Sequence, residues 1–406
     1  MRVLFTSPVL GHPAIGGPKL RIENSIKALS KVCELDIISG DKCSIEEVEK
    51  SRLYFSKFSL EYKVLPDHKY SGRFSRYRRY IDGRLSRFLD MKTSRDAEYI
   101  INHIDRRKID VLWFGFGNIS YPLISHIKKK RPKLKIVCDT DSVWSRYILR
   151  ELPHALGLRK YSIWHAGQKK IYEEKRLVNI CNVTTAVSYV DQLYYRDVTA
   201  YKDRIHIFSN VIDLESYKSN PKPPENFKNP SVYLAGSYFS NTCPMVVATK
   251  WVLQEVMPKL LSVDPKMHLY IVGNGSDKYF AHLNNNNITA TGRLESVLPY
   301  LCNTDVALVP LTFESGTRFK ILEAGACNIP IVSTTLGAEG IPVINGEHIL
   351  IADNADDFSD SIIKIINNKG LAGYLANNCK ELVSKSFCIE SLIVEAKNIL
   401  EYLQHD

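Results

Sequence analysis

Residues 305–335 read DVALVPLTFESGTRFKILEAGACNIPIVSTT, and their pattern decides the fold class. The apolar run from Asp305 to Pro310 predicts a buried strand. Leu311 to Ser315 reads as a loop, about Thr317 to Cys327 as a helix, and Ile329 to Ser333 as a second apolar strand. Gly316 stands where the helix is expected to begin. A first turn there offers unpaired backbone N–H groups and the positive end of the helix dipole to an anion. Gly316, Lys320 and Glu323 are four and three residues apart, which places them on one helical face. On that face a glycine admits an anion, a lysine one turn deeper reaches its oxygens, and a carboxylate beyond it accepts hydroxyl hydrogen bonds. A phosphate followed by a sugar diol is the phosphate and ribose of a nucleotide. Phe319, Leu322 and Ala326 are apolar or small and suit packing on a sheet. On spacing alone an amphipathic helix with an ordinary exposed Lys–Glu pair stays open, since such pairs are common. The position, at the carboxyl end of a strand in an α/β pattern, is where ligands of open parallel sheets bind.

The longer stretch SGTRFKILEAGACNIPIVSTTLGAEG, residues 315–340, resembles the donor-site segment of retaining nucleotide-sugar glycosyltransferases of the GT-B fold, family-4 type. The usual form there is two Glu separated by seven residues, then small residues and a Pro before a strand. Glu323 matches the second Glu, which in that family holds the ribose. The first Glu falls at Ser315, with Glu314 one place early, so this chain departs from the pattern at the contact to the sugar ring. The resemblance implies an α/β protein of two Rossmann-like domains facing a cleft, with a C-terminal helix crossing back to the first domain. The second domain would bind a UDP-sugar or GDP-sugar, and the first a glycan or lipid-linked acceptor. It implies hexosyl transfer with retention, no cofactor, and no divalent metal at the transfer step. Ser315, Gly316 and Thr317 would meet the donor. Lys320 and Arg318 would stabilise the departing diphosphate. Arg318 is two positions from Lys320, about 200° round an ideal helix, so it reaches the phosphates only if the first turn is irregular. Asp141 is the candidate base, with the leaving phosphate itself as the alternative proton acceptor.

The remaining motifs fall in chain order. Arg2 to Ser7 predicts a strand, Pro8 to Gly17 a Gly- and Pro-rich loop, and Pro18 to about Leu29 a helix, with Glu34 to Ser39 the next strand. This opens a Rossmann-like unit, although Gly11, Gly16 and Gly17 do not give the GxGxxG spacing. Gly16–Gly17–Pro18 resembles the N-terminal glycine loop of GT-B enzymes, which faces the donor phosphate and the acceptor; Lys19 and Arg21 follow it. Asp139–Thr140–Asp141 ends a strand and is literally a DxD, a carboxylate pair able to hold a metal on a diphosphate. It keeps a competing GT-A reading in view. In the GT-B reading Asp141, Ser142 and Arg146 become acceptor contacts. Residues 218–230, KSNPKPPENFKNP, carry four Pro and read as a linker. The expected division is therefore 1–217, linker 218–230, 231–386, and a crossover helix over 387–406. Gly236 follows the first strand of the second domain, but SYFSNTCP lacks the Arg and Lys that many relatives place there to grip the diphosphate. Gly273 and Gly275 form a turn able to approach a nucleotide closely. Arg293 and Leu294 would flank the base, and Gly337 to Gly340 would border the donor sugar.

Composition bounds the alternatives. At 406 residues two domains are the default, and 45% hydrophobic with 24% charged residues is ordinary for a globular chain. No apolar run reaches the roughly 18–20 residues a membrane span needs, and MRVLFTS is a first strand rather than a signal peptide. Nine scattered Cys without CxxC spacing suit reduced thiols in a cytoplasmic protein. The net charge of +10 concentrates in residues 69–95 and in Lys128 to Lys135. The Arg73–Arg95 region, with Tyr77, Tyr80, Leu85 and Phe88 among the charges, suits an anionic membrane surface and a peripheral location at its inner face. Nucleic acid is not expected, because no RNA-binding motif accompanies the patch. Two other classes stay open: a non-catalytic GT-B-like nucleotide-binding module, and a membrane- or nucleic-acid-binding protein that uses the basic segment.

Overall fold

The computed structural model describes residues 1–14, 16–40, 45–66 and 91–405. It contains two all-parallel sheets. The first is built from β1 (Arg2–Ser7), β2 (Glu34–Ser39), β3 (Glu61–Val64), β4 (Val111–Gly115), β5 (Lys135–Asp139), β6 (Val183–Ala186) and β7 (Ile205–Ile207), in the order β3-β2-β1-β4-β5-β6-β7. The second comprises β8 (Ser231–Ala235), β9 (His268–Val272), β10 (Ile288–Gly292), β11 (Val306–Val309), β12 (Ile331–Ser333) and β13 (Leu350–Ile351), in the order β10-β9-β8-β11-β12-β13. Each is a Rossmann-like arrangement in which the strand order reverses once, between β1 and β4 and between β8 and β11.

The central strands form because helices cover both faces, so VLFTS, VLWFG and HLYIV are mostly apolar and buried along their whole length. The edges differ. EYKV of β3 is half-exposed and β13 has only two residues, so neither carries the buried-run signature that announces the other strands. The first core gathers Leu4, Ile38, Leu112, Phe114 and Ile136 with helix residues such as Ile100, Ile124 and Leu177. The second gathers Leu234, Leu269, Ile271, Leu308 and Val332 with Val246, Leu322 and Phe358.

The chain divides into two compact units: Met1–Asp141, Lys169–Phe208 and Leu392–Asp406 in one, and Ser142–Gln168 with Ser209–Ser391 in the other. The Pro-rich 218–230 segment, read above as a linker, lies inside the second unit. Phe227 stacks on Tyr270 at 4.6 Å, and Leu214 and Tyr217 pack on the same core. One aromatic ring thus fastens a segment whose proline content alone suggests a spacer. The final helix, Ile389–His405, returns to the first unit, as expected. There Tyr402 donates to Asp203 at 2.7 Å and Lys135 reaches the Leu403 carbonyl. The eight described cysteines are free thiols. Among the described residues no helix is long and apolar enough to cross a membrane. Residues 69–90 of the basic segment lie outside the described residues.

One buried ion pair ties the first sheet's carboxyl end together. Arg21, on the helix Gly17–Leu29, pairs with Asp139 at the end of β5, and both are almost fully buried. Arg21 also donates to the Phe208 carbonyl at 3.1 Å, and Thr185 Oγ1 donates to Asp139 at 2.7 Å. Removing one member leaves a buried, uncompensated charge. Arg21→Ala is therefore expected to lower the unfolding free energy by about 3–5 kcal/mol in urea titration. A loss under about 1 kcal/mol would contradict a structural role for this pair.

Candidate functional site

The reversal between β8 and β11 leaves a crevice at their carboxyl ends, where neighbouring crossovers leave in opposite directions. Three loops meet the second sheet's carboxyl edge near this point: 236–243 after β8, 273–275 after β9, and 310–318 after β11. The glycines of the first two loops serve each other. A Cβ on Gly273 (φ +121°) would stand 2.1 Å from the Gly236 carbonyl oxygen, and one on Gly275 (φ +82°) 2.2 Å from that of Tyr238. Tyr238 N–H donates to the Asn274 carbonyl at 2.8 Å. Loop-on-loop packing, rather than an opening to a ligand alone, thus requires glycine there. Gly236 itself sits on Met245.

The helix after β11 runs from Phe319 to Ala326, two residues later than its sequence period suggests. Gly316 lies outside it at φ +82°, so the expected Gly316–Lys320 helical spacing does not exist. Lys320 and Glu323 remain one turn apart on the helix. Arg318 is extended at the cap position (φ −98°, ψ 105°) and is freed from the helical angle that sequence spacing assigns it. Its buried guanidinium folds back on the Gly316 carbonyl and lies 3.4 Å from that of Leu336. Thr317 Oγ1 accepts from Asn210 at 2.7 Å. The Ser315 hydroxyl is buried and makes no hydrogen bond among the described residues.

Lys320 is partly buried, and its ammonium contacts the Met245 thioether at 2.9 Å. A thioether is a weak acceptor, so this cation is poorly compensated. Burial pushes the Lys320 ammonium below its ordinary value, while Glu314 and Glu323 oppose that shift. Burial likewise raises the Glu323 carboxyl, against the Tyr217 hydrogen bond and the Lys320 charge. Tyr217 donates to Glu323 Oε1 at 2.9 Å, which leaves Oε2 for a further donor. No sequence motif marks Tyr217; only its aromatic character just before a Pro-rich stretch hints that it is anchored.

A second group was equally hidden. Arg150, on the helix Trp144–Arg150, reaches both Glu339 oxygens at 3.0 and 2.6 Å and the Glu314 carbonyl at 2.5 Å. Arg146 lies 3.6 Å from Glu339. Burial alone would raise Glu339, but Arg150, then Arg146 and Arg318, hold its carboxyl below the ordinary range. Arg146, expected among acceptor contacts, is thus engaged with the loop expected to border the donor sugar. Arg293 is exposed and Leu294 half-buried after β10, two strands from β8.

In the first unit Gly16 has φ +82° and a Cβ there would meet nothing within 4 Å, so its backbone angle, not its packing, demands glycine. Gly17 opens the following helix. The DxD does not offer two open carboxylates: Asp139 is committed to Arg21 and Thr185, and Asp141 accepts from Asn118 at 2.8 Å. Arg21 is correspondingly a core residue and not a ligand contact. Asp36, Glu61 and His103 bring ligand-type atoms within 4.8 Å of one another. Arg107 holds Asp36 at 2.9 Å and lies 3.5 Å from Glu61, which makes the cluster an ion-pair knot rather than a cation cradle.

Known proteins agree with this architecture. Residues 236–368, which hold the loops after β8, β9 and β11 and the helix with Lys320 and Glu323, match the family model described as Glycosyl transferases group 1. An uncharacterized glycosyltransferase of Methanocaldococcus jannaschii is 28% identical over 149 residues, covering 34% of this chain and 42% of that protein. HepE from Anabaena, solved with UDP and glucose, superposes with a TM-score of 0.66 at 13% identity, covering 98% and 99% of the two chains. Sucrose-phosphate synthase from Thermosynechococcus elongatus gives 0.68 at 14% identity over the whole of both chains. The chain has the GT-B type of fold. Residues 236–368 are similar in sequence to group 1 glycosyltransferases.

The Arg150–Glu339 pair yields a measurable coupling. A double-mutant cycle of Arg150→Ala and Glu339→Gln, followed by urea unfolding, is expected to give about 0.5–3 kcal/mol. Because Glu339 is depressed in the folded state, that contribution is present at neutral pH and lost as pH falls through its folded pKa. A coupling that is absent at pH 7, or unchanged in acid, would remove the pair from the loop-holding role.

Proposed function

We propose that this chain is a glycosyltransferase that moves a hexose from a nucleoside diphosphate to an acceptor hydroxyl, with retention, in the manner of family-4-type enzymes. The carrying observation is the Lys320–Glu323 pair, one turn apart on a helix that starts beside the β8/β11 switch point. Glu323 Oε2 takes a ribose hydroxyl, with Tyr217 fixing the other oxygen. The diphosphate lies toward Lys320 and the backbone N–H groups of the first helical turn. An anion there supplies the partner that Met245 does not. UDP is the favoured nucleotide, supported by HepE from Anabaena, whose structures hold UDP and UDP-glucose.

In the reaction the bond between the anomeric carbon and the diphosphate oxygen breaks, and the acceptor oxygen bonds to that carbon. The acceptor's proton passes to the leaving diphosphate. Negative charge grows on the diphosphate, and Lys320 meets that charge without reorganisation. Arg318 supports the same place by holding the Gly316 carbonyl out of it. Gly236, Gly273 and Gly275 shape the wall, Ser315 and Thr317 line the approach, and Arg293 and Leu294 are assigned to the base. No metal is invoked for these duties. The first unit carries Gly16 and Gly17, expected at the donor phosphate and the acceptor, and Asp141, the candidate base.

Glu323→Ala is expected to weaken UDP binding by about 1–3 kcal/mol in calorimetric titration. With Glu323 raised by burial, wild-type affinity should fall, as pH drops, at a higher pH than an ordinary carboxylate allows. Unchanged affinity in a folded variant would remove Glu323 from the site. Lys320→Ala is expected to cut turnover by about 10²–10³ while leaving folding intact. Normal turnover would exclude the leaving-group role.

A further inference from the structure

Residues 152–172, LPHALGLRKYSIWHAGQKKIY, contain no Asp or Glu, while they hold Arg159, Lys160, Lys169 and Lys170. In the structure a short turn, Leu152–His154, leads through Gly157 into the helix Leu158–Ile180. Gly157 takes φ +55°, with nothing within 4 Å of where a Cβ would be. The turn therefore leaves a leucine on either side of it in water. Leu156 is 85% exposed and Leu158 92%. Tyr161 and Trp164 follow at 68% and 49%, their rings stacked 6.2 Å apart. Spacings of three and four residues put Leu158, Tyr161, Trp164, His165 and Lys169 on one face.

The opposite face is fixed. Ala155 and Ile163 are buried, and Gly167 lies so close to Leu149 that a Cβ would stand 2.4 Å from it. Arg159 pairs with Glu151 and donates to Thr242 at 2.7 Å. The apolar tip is therefore a rigid surface feature and not an unpacked end. Four large apolar side chains within nine residues, exposed together, mark an interaction surface. Their kind selects the occupant. Trp and Tyr prefer the boundary between hydrocarbon and water, leucines insert beyond it, and the exposed Lys160 and Lys169, the latter 3.7 Å from Glu173, supply positive charge for anionic headgroups. We infer that this tip docks on an anionic lipid bilayer.

The tip also has an address. His154 packs on Phe313 at 4.6 Å, and Arg150 holds the Glu314 carbonyl, so the surface is tied directly to the loop before the Lys320 helix. An enzyme seated through it would take an acceptor carried by the membrane, a lipid-linked hydroxyl. That acceptor class rests on the glycosyl-transfer reading; the surface itself does not.

The test uses full-length protein and phosphatidylcholine vesicles with or without phosphatidylglycerol, followed by co-sedimentation. Wild type should bind only the anionic vesicles, and brominated lipids should quench its tryptophan fluorescence. Leu156→Ser/Leu158→Ser should bind about tenfold more weakly or worse, and Trp164→Phe should lose most of the quenching. Unchanged thermal stabilisation by UDP in the same variants separates this loss from misfolding. Absence of wild-type binding to either vesicle overturns the proposal. So does binding that survives Leu156→Ser/Leu158→Ser but vanishes when Arg73, Arg76, Arg78 and Arg79 become Gln. Self-association abolished by the leucine variant, without vesicle binding, assigns the tip to a second copy and also overturns it. Failure of wild type to respond to UDP would instead strike the transfer reading while vesicle binding stood.

Discussion

A parallel sheet whose strand order reverses cannot be covered evenly. At the reversal, crossovers depart to opposite faces, and the carboxyl ends of the two central strands are left open. In the second sheet this happens between β8 and β11, and the features assigned to the donor follow from it. The loop after β11 must turn sharply, which Gly316 permits at φ +82°. The helix that follows starts beside the opening, and its first turns carry Lys320 and Glu323. Strands β9 and β12, packed on either side, hold that geometry in place.

The carboxyl ends of the two sheets treat buried charge in opposite ways. In the first sheet Arg21 and Asp139 satisfy each other, with a carbonyl and a hydroxyl completing the network. Such a pair stabilises only as a whole, and it closes the DxD to other use. In the second sheet Lys320 faces a thioether, and Glu323 has one oxygen bound by Tyr217. Burial shifts both groups toward neutrality. Shifted, incompletely compensated groups beside a topological switch point are the kind of place where a ligand is expected. Arg150 and Glu339 brace the loops around it from a helix far back in the sequence.

Much of this was legible in the chain. Buried runs such as MRVLFTS and HLYIV announced the central strands almost to the residue, because interior parallel strands are apolar on both faces. The Lys320–Glu323 pair and its place after a strand were equally readable. The misses have physical causes. Glu61–Val64 and Leu350–Ile351 are edge strands too polar or too short to show a pattern. The helix after β11 starts late because the backbone at Gly316 and Arg318 is not helical, which composition does not reveal. Residues 218–230 look like a spacer until Phe227 is seen on Tyr270. Tyr217 and Arg150 act across 106 and 189 residues of sequence, on Glu323 and Glu339, and no local spacing predicts such contacts.

Nucleoside diphosphate binding at the second sheet's switch point through Lys320 and Glu323 is the proposal on which the transfer reading rests. It is tested most directly by thermal shift of the intact protein with UDP, GDP, ADP, CMP and TDP, each with and without EDTA. Stabilisation by one nucleoside diphosphate, with UDP favoured, that chelator leaves unchanged is the expected result. Stabilisation that chelator abolishes, or none with any nucleotide, would contradict it.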